Sequence, residues 1–285
     1  MKKGLVMEGG AMRGMFTAGV TDVMMENNIT FDGAIGVSAG AVFGCNYKSN
    51  QPGRVIRYNK RFCNDKRYCS FQSLRKTGDL YGHEFCYYTM PNELDIFDRE
   101  TYKNSPMEFT IVATNVRTGK PAYISCPNGD DTDLEAYRAS ASMPLVSNMV
   151  EIDGEKHLDG GLSDSVPLKY FESIGYDRNV VILTRPRGYV KGKNKLMPIL
   201  KVKYRKYPEF VKAMANRHIM YNDEMKYIYE AEKTGRAFLI VPDEALDIGF
   251  SEKNPEKLQE IYEIGRRTAE KRLKELKEFL GAGNK

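Results

Sequence analysis

The segment Gly36-Val37-Ser38-Ala39-Gly40 reads Gly-x-Ser-x-Gly and stands between two apolar stretches. The preceding stretch, Phe31–Ile35, predicts a short strand, and the small residues of Ala41–Cys45 predict a helix. Glycine at both ends of the segment removes the Cβ atoms that would collide where a strand turns sharply into a helix. That turn would hold the Ser38 hydroxyl above a sheet, at a helix N-terminus where backbone N–H groups gather. The segment therefore indicates either a nucleophilic serine or a small-residue turn packed for its own sake.

A second glycine-rich turn lies near the N-terminus. The apolar run Lys3–Met7 predicts the first strand, and Met15–Glu26 has the apolar spacing of an amphipathic helix. Between them, Glu8–Gly14 would direct backbone N–H groups at an anion. One interpretation is nucleotide binding. It is disfavoured because the dinucleotide pattern needs glycine where this chain has Ala11, and no Gly-Lys-Ser/Thr sequence follows.

The other interpretation of this turn is an oxyanion hole. A serine nucleophile creates a tetrahedral intermediate with a negative oxygen, which N–H donors near Gly10 and Ala11 would stabilise. Each such donor is typically worth about 3–4 kcal/mol. The interpretation requires the turn to lie beside the strand that leads to Ser38.

Alternation and turn residues predict two hairpins and several single elements along the rest of the chain. The second hairpin runs directly into Asp159-Gly160-Gly161, which indicates either an exposed, conformationally special carboxylate or a simple turn capped by aspartate. The predicted elements are the hairpins Phe109–Ala113/Ala122–Ser125 and Met149–Ile152/Glu155–Leu158, the helices Asp133–Ser142, Pro167–Ile174, Pro208–Thr234 and Glu256–Leu280, and the strands Asn179–Leu183 and Ala237–Val241.

Composition excludes several classes of protein. A formal charge of +5 is modest for 285 residues and does not indicate a nucleic-acid binder. No apolar run approaches the roughly 20 residues of a membrane span. The apolar run Gly4–Met7 is too short for the core of a signal peptide. We therefore expect a cytoplasmic protein.

The five cysteines are odd in number and lack Cys-x-x-Cys spacing. This usage predicts reduced thiols rather than a disulfide framework or a zinc site. Cys63, Cys69 and Cys86 could be drawn together with His83 as a metal cluster, but their spacings match no common zinc pattern. We therefore predict no metal site.

Four motifs together carry a family resemblance. In chain order they are Gly9–Gly14, Gly36–Gly40, Ala139–Pro144 and Asp159–Gly161. Each motif alone is weak, but the ordered set closely resembles the patatin-like phospholipase family, and its bacterial branch in particular, over roughly residues 3–183. The resemblance implies an α/β fold, a three-layer α/β/α sandwich, to which the helical patterns add a mainly helical C-terminal extension.

The resemblance also implies a Ser-Asp catalytic dyad with no catalytic histidine. In this dyad Ser38 would be the nucleophile and Asp159 the general base. The oxyanion hole would be formed by Gly9, Gly10, Ala11, Arg13 and Gly14. The nucleophile elbow would be shaped by Gly36 and Gly40, and Asp159 would be supported by Gly160 and Gly161.

Three residues bear on the details of this site. Many family members have a third glycine where this chain has Ala11; alanine keeps the N–H donor but fits without strain only at ordinary backbone angles. His157 lies two residues before Asp159, on the same strand face, so a Ser38–His157 triad is the alternative. No acid follows in the order that elbow-type hydrolases use, which favours the dyad. Arg13 would either attract an anionic head group or brace the loop.

The sequence changes character after Thr184. Residues 185–217 contain eleven basic residues and one acidic residue, Glu209, a local net charge of +10 with apolar and aromatic residues interleaved. This pattern is typical of a strip that faces an anionic lipid surface, and equally of a solvated loop and helix start. Nucleic acid is the weaker option, because no recognised nucleic-acid module accompanies the charges.

Taken together, the patterns predict a catalytic domain over residues 1–184, and over 185–285 a basic segment plus a helical extension packed on the same fold. The predicted activity is serine acyl hydrolysis of lipid esters, such as those of phospholipids or lysophospholipids, without metal or organic cofactor. The expected partners are a lipid substrate and an anionic membrane surface. Residues 185–217 would contact the inner face of that membrane transiently. No nucleic-acid partner is expected. The alternative is a lipid-binding or regulatory module with a weak or vestigial dyad.

Overall fold

Residues 1–281, which the computed structural model describes, form an eight-stranded mixed sheet with helices on both faces. Followed from one hydrogen-bonded neighbour to the next, the strands connect as β5-β6-β3-β2-β1-β7-β8, and β4 pairs with β3. The strands are β1 (Lys2–Met7), β2 (Gly33–Val37), β3 (Glu108–Asn115), β4 (Pro121–Ser125), β5 (Val150–Ile152), β6 (Glu155–Asp159), β7 (Tyr176–Ile182) and β8 (Ala237–Ile240).

A parallel set of strands makes up most of the sheet. β3, β2, β1, β7 and β8 run in one direction, so their carboxyl ends open on the same edge, where α/β sheets bind ligands. β4 and β6 are antiparallel to β3, and β5 is antiparallel to β6. Both predicted hairpins are therefore present at their expected positions.

Helices cover both faces of the sheet. One face carries α1, α2, α3 and α10, while α7 and α9 pack on the other, which confirms the predicted three-layer α/β/α sandwich. Within residues 1–281 the α-helices are α1 (Gly14–Glu26), α2 (Ala39–Lys48), α3 (Arg54–Phe62), α4 (Phe71–Thr77), α5 (Arg99–Asn104), α6 (Asp131–Ala141), α7 (Leu168–Ser173), α8 (Met197–Lys203), α9 (Pro208–Lys233) and α10 (Pro255–Phe279).

Side-chain alternation along β1 divides the core between the two helical layers. Leu5 and Met7 belong to the cluster under α1, α2 and α10, whereas Val6 belongs to the cluster under α7 and α9. All three side chains are fully buried. A central parallel strand is therefore apolar on both faces, as its continuous apolar sequence requires.

The pairing along β3 determines where two strand ends meet. β4 occupies one edge of β3 at both Val112 and Ala113, so β2 and β6 share the other edge. On that edge β2 ends at Val37, opposite Val112, and β6 arrives from the opposite direction to end at Asp159, opposite Ala113. The two strands therefore meet end to end, and the residues that follow Val37 lie next to Asp159.

Element boundaries differ from the sequence prediction at a few places. β2 begins at Gly33 rather than Phe31, and just before it the Asp32 carboxylate accepts the N–H of Lys3 at 2.6 Å. The polar and aromatic region before β3 contains a π-helix, Phe85–Leu94, with Pro91 inside it. Proline has no N–H to donate, which fits the irregular hydrogen bonding of this helix.

The chain after Thr184 adds to the same sheet and to both helical layers. β8 extends the sheet beyond β7, α9 covers one face, and α10 packs along α1 on the other. A Cβ atom on Gly19 would lie 2.1 Å from the Tyr262 carbonyl oxygen, and one on Gly265 would lie 2.1 Å from that of Phe16. The two helices therefore touch backbone to backbone. No helix in the described part of the chain is long and apolar enough to cross a bilayer.

Candidate active site

Ser38 occupies a sharp turn between β2 and α2. Its backbone angles are φ 54° and ψ −120°, a left-handed conformation that costs a non-glycine residue on the order of 1–2 kcal/mol. Neighbouring glycines make the turn fit: a Cβ on Gly36 would lie 2.4 Å from the Gly40 carbonyl oxygen, and one on Gly40 would lie 2.4 Å from that of Met7. The predicted requirement for glycine at both positions therefore follows from close backbone packing.

Ser140 fixes this turn to the sheet. Its hydroxyl accepts a hydrogen bond from the Ser38 backbone N–H at 2.9 Å and donates one to the Val112 carbonyl at 2.6 Å. The serine is fully buried near the end of α6. The sequence analysis included Ser140 in the motif Ala139–Pro144 but did not predict its role, because its partners lie 102 and 28 residues away.

Asp159 ends β6 beside the Ser38 turn and is almost completely buried. Its carboxylate accepts the Gly161 N–H at 2.8 Å, and its own N–H donates to the Ser142 carbonyl at 2.8 Å. Burial raises the pKa of the Asp159 carboxyl, while the charge of Arg217 and the nearby Ser38 hydroxyl partly offset this rise. The arrangement suits a carboxylate that takes a proton from Ser38.

The glycine-rich loop lies directly against the serine turn. A Cβ on Gly9 would be 2.9 Å from the Ser38 Cβ. Within residues 1–281 the backbone N–H groups of Gly9, Gly10 and Ala11 donate no hydrogen bond to the backbone. Unpaired donors beside a serine hydroxyl fit an oxyanion hole better than a nucleotide site. Gly14, by contrast, begins α1 and packs on Phe43, and it does not line the cavity that contains Ser38 and Asp159.

Ala11 stands at φ 48°, in the left-handed region. The sequence analysis required ordinary angles for an unstrained alanine here, and this condition is not met. The strain is held locally, because Ala11 begins a short 3-10 turn, Ala11–Arg13, in which the Arg13 N–H donates to the Gly10 carbonyl. Backbone strain of this kind is common at functional sites.

Glu8 is a buried carboxylate that sequence analysis did not include in the site. It follows β1 directly and accepts the Thr184 N–H at 2.6 Å, the Thr184 hydroxyl at 3.2 Å and the Tyr221 hydroxyl at 2.9 Å. These donors come from the end of β7 and from α9, so Glu8 connects the first strand to the C-terminal third. A charged residue immediately after a buried strand was the available sequence signal.

Two cavities meet at Ser38. The smaller, of about 90 Å³, runs past Val42, Phe43 and Met90 and is mainly apolar. The larger, of about 320 Å³, contains Asp159 and several charged side chains and is called the polar cavity. Ser38 and Ala11 line both, so an ester bond held at Ser38 could place an apolar chain in one cavity and a polar group in the other.

His157 lies outside both cavities. It is buried on β6, where it pairs with Asn115, whereas Asp159 pairs with Ala113 at the end of the same strand. Burial lowers its pKa, partly offset by Glu155, and its Nδ1 atom has no hydrogen-bond partner within residues 1–281. The geometry therefore brings Asp159, not His157, to Ser38. No group of three or more potential metal ligands occurs in the described part of the chain.

Comparison with known proteins gives two family matches. The model described as patatin-like phospholipase matches residues 5–172, which include every residue of the predicted site. A domain of unknown function, DUF6363, matches residues 207–281.

Individual relatives extend this picture. An uncharacterized Escherichia coli protein, YjjU, is 28% identical and covers 92% of this chain and 74% of its own length. Lysophospholipase nte1 of Aspergillus oryzae is 26% identical over 61% of this chain, which spans 11% of that protein. The crystal structure of VipD from Legionella pneumophila aligns with a TM-score of 0.48 and 12% identity, over 96% of this chain and 67% of that one.

The role of Ser140 leads to a prediction. Ser140→Ala leaves the Ser38 N–H and the Val112 carbonyl buried without a partner, so we expect a loss of about 2 kcal/mol in the free energy of unfolding. Ser142→Ala is the matched control, since the Ser142 hydroxyl bonds only to the Arg138 carbonyl of its own helix and its loss should cost under about 1 kcal/mol. Equal losses in urea denaturation of the two variants would contradict this role.

Proposed function

Because the chain belongs to the patatin-like phospholipase family, we propose that it is a serine acyl hydrolase in which Ser38 and Asp159 form the catalytic dyad. The family match supports lipid acyl hydrolysis in general. The observation that supports the dyad is the end-to-end meeting of β2 and β6, which leaves the buried Asp159 carboxyl beside the strained Ser38 turn. The same turn faces the unpaired N–H groups of the glycine-rich loop.

The first half of the reaction transfers the acyl group to the enzyme. Ser38 Oγ attacks the ester carbonyl while the Asp159 carboxylate takes the hydroxyl proton. The N–H groups of Gly10 and Ala11 then stabilise the negative oxygen of the tetrahedral intermediate. Collapse of this intermediate breaks the ester C–O bond, and the proton on Asp159 passes to the departing alcohol.

The second half releases the fatty acid. The Asp159 carboxylate takes a proton from a water molecule, whose oxygen attacks the acyl-Ser38 carbonyl. The second tetrahedral intermediate uses the same N–H donors. When the bond to Ser38 Oγ breaks, the proton returns from Asp159 to Oγ, so the dyad is restored and one ester plus one water has become an alcohol and a carboxylic acid.

The cavities support a substrate with one apolar and one polar part. An acyl chain would lie in the smaller, mainly apolar cavity past Val42, Phe43 and Met90, and the alcohol part would lie in the polar cavity. Phospholipids and lysophospholipids have this division. The similar Aspergillus protein is named a lysophospholipase, which agrees with this substrate class.

A membrane surface is the proposed source of substrate. Leu196 and Phe250 line the polar cavity, and these two side chains, like those of Ile199 and Val202 on α8, have half or more of their surface exposed. Lysines alternate with them on and before α8, and Lys193, Lys195 and Lys201 are all exposed. Apolar side chains flanked by lysines match the interfacial region of an anionic bilayer. Docking there would bring the cavity mouth to the lipid.

Site-directed variants test the dyad. With a short-chain p-nitrophenyl ester as substrate, Ser38→Ala and Asp159→Asn should each lower kcat by at least about a thousandfold, because nucleophile and base act as a unit. His157→Ala should retain hydrolysis if circular dichroism shows a folded protein. Loss of activity in folded His157→Ala would instead support the triad. A wild-type protein that neither hydrolyses esters nor reacts with a fluorophosphonate at Ser38 would support the lipid-binding alternative.

The raised pKa of Asp159 predicts how activity and stability depend on pH. The base must be ionised, so kcat/KM should fall as pH decreases through a pKa above the usual value of about 3.9 for aspartate. A carboxyl whose pKa is raised by folding binds its proton more tightly in the folded state, so the ionised form destabilises the fold. Asp159→Asn should therefore unfold at higher temperature than wild type at neutral pH, and this difference should shrink in acid.

Vesicle binding tests the membrane contact. The double variant Lys195→Gln/Lys201→Gln removes two lysines from the proposed docking surface on and before α8. Its partition onto phosphatidylglycerol-containing vesicles should be weaker by about thirtyfold, at about 1 kcal/mol per lysine. Lys271→Gln/Lys274→Gln on α10 removes the same charge elsewhere and serves as the control. Equal loss in both variants, or binding that ignores added salt, would contradict a specific docking surface.

A further inference from the structure

Four cationic side chains line the polar cavity beside Ser38. They are Arg13 from the glycine-rich loop, Arg185 and Lys191 from the segment after β7, and Arg217 from α9. The patatin-like match ends at residue 172, so three of the four cations come from beyond it, and Arg217 lies in the domain of unknown function. The C-terminal third therefore supplies most of the charge around the alcohol side of the site.

None of these cations is paired directly with a carboxylate in the described part of the chain. Within residues 1–281 none of the four forms an ion pair, whereas ten other arginines and five other lysines do. The Nε atoms of Arg13 and Arg185 are buried and have no hydrogen-bond partner in the same part of the chain. A buried, unpaired guanidinium N–H is unfavourable unless a ligand accepts it.

Two carboxylates also line this cavity, and both have other roles. Glu8 is hydrogen-bonded to Thr184 and Tyr221, and Asp159 faces Ser38. Counted formally, four cations against two carboxylates leave an excess of two positive charges. The excess matches a dianion.

Mutual repulsion shows that the cations are crowded. The pKa of Lys191 is lowered to about 8, first by burial and then by the charges of Arg217, Arg13 and Arg185, while Glu8 opposes this shift. Burial, followed by the charge of Arg185, likewise lowers the pKa of Arg13. An anion placed among these groups would relieve the repulsion.

Two tyrosine rings, one of them lining the cavity, are each contacted by one of its cations. Lys191 Nζ lies 4.3 Å from the centre of the Tyr221 ring, and Arg185 Cζ lies 4.5 Å from that of Tyr189. A choline group is normally recognised by free aromatic faces. Here Arg185 and Lys191 occupy the ring faces, and their positive charge would repel a quaternary ammonium group.

We propose that the polar cavity is a subsite for the dianionic phosphomonoester of a lipid head group, with Arg185 and Lys191 as its specificity-determining side chains. This proposal rests on the proposed acyl hydrolase function, because the same cavity contains Ser38 and Asp159. A lipid seated in this way would hold its acyl ester at Ser38 and its phosphate among the four cations. The preferred substrate would be an acylglycerol phosphate rather than a phosphocholine lipid.

Three lipids with one acyl chain test this selectivity: a 1-acylglycerol 3-phosphate, the matching 1-acylglycerophosphocholine and the matching monoacylglycerol. Each is used below its critical micelle concentration, so that membrane docking does not contribute. We expect kcat/KM for the phosphomonoester to exceed that for either of the other lipids by at least about tenfold, the effect of one charge-assisted hydrogen bond. Equal rates for the three lipids would overturn the proposal.

Variants assign the selectivity to the cavity. Lys191→Gln and Arg185→Gln should each reduce the ratio of kcat/KM for phosphomonoester over monoacylglycerol by about tenfold, mainly through KM, and Lys191→Arg should restore it. Lys226→Gln, an exposed position on α9 paired with Asp223, is the matched control and should leave the ratio unchanged. A ratio that is the same in Lys191→Gln, Arg185→Gln and the control would contradict the assignment.

Inorganic phosphate distinguishes a lipid head group from free phosphate. It should inhibit acylglycerol phosphate hydrolysis competitively, and the inhibition constant should rise about tenfold in Lys191→Gln. Inhibition by phosphate together with equal rates on the three lipids would mean that the cavity binds free phosphate only. Hydrolysis of p-nitrophenyl butyrate separates the two proposals: if it proceeds while selectivity is absent, the subsite alone is wrong, and if no ester is cleaved, the enzymatic function is wrong.

Discussion

The central constraint of this structure is that β2 and β6 end against each other on one edge of β3. Val37 pairs with Val112 and Asp159 pairs with the next residue, Ala113. Because strand pairing is set by backbone hydrogen bonds, this register places the Ser38 turn and the Asp159 carboxyl together without any contribution from their side chains. Ser140 then fixes the turn through the Val112 carbonyl, and a Cβ on Gly160 would lie 2.0 Å from that same oxygen. The Val112 carbonyl therefore holds Ser140 under the Ser38 turn and leaves no room for a side chain on the residue that follows Asp159.

The sequence predicted the elements of the fold well, because turns and alternation are local signals. The hairpin at Asp153-Gly154 has positive φ at both positions, as its residues indicate, and the strands around it fall where expected. The adjacency of Ser38 and Asp159 came from the family resemblance rather than from local patterns. No local pattern could show which strands share an edge of β3, since the paired residues are far apart in sequence.

Residues with distant partners were the ones that sequence analysis missed. Glu8 is bonded to Thr184, 176 residues away, and to Tyr221, 213 residues away. Arg185 and Arg217 were recognised as part of a basic segment, but their sequence positions give no sign that they enter the site. Ala11 is the opposite case, because the sequence alone showed that its backbone angles would decide whether the loop is strained. Only the closed geometry of the loop shows that alanine accepts a left-handed conformation there.

Charge in the polar cavity links the base to the proposed ligand. Asp159 is buried, and an isolated buried carboxylate would remain protonated and could not act as a base at neutral pH. Arg217 and Lys191 oppose this effect by stabilising the ionised form. A phosphate dianion bound among the same cations would cancel part of their field at Asp159, which would raise the proton affinity of the carboxylate and lower its ionised fraction at a given pH. Head-group binding and proton abstraction from Ser38 would then be coupled by electrostatics alone, without any movement of the protein.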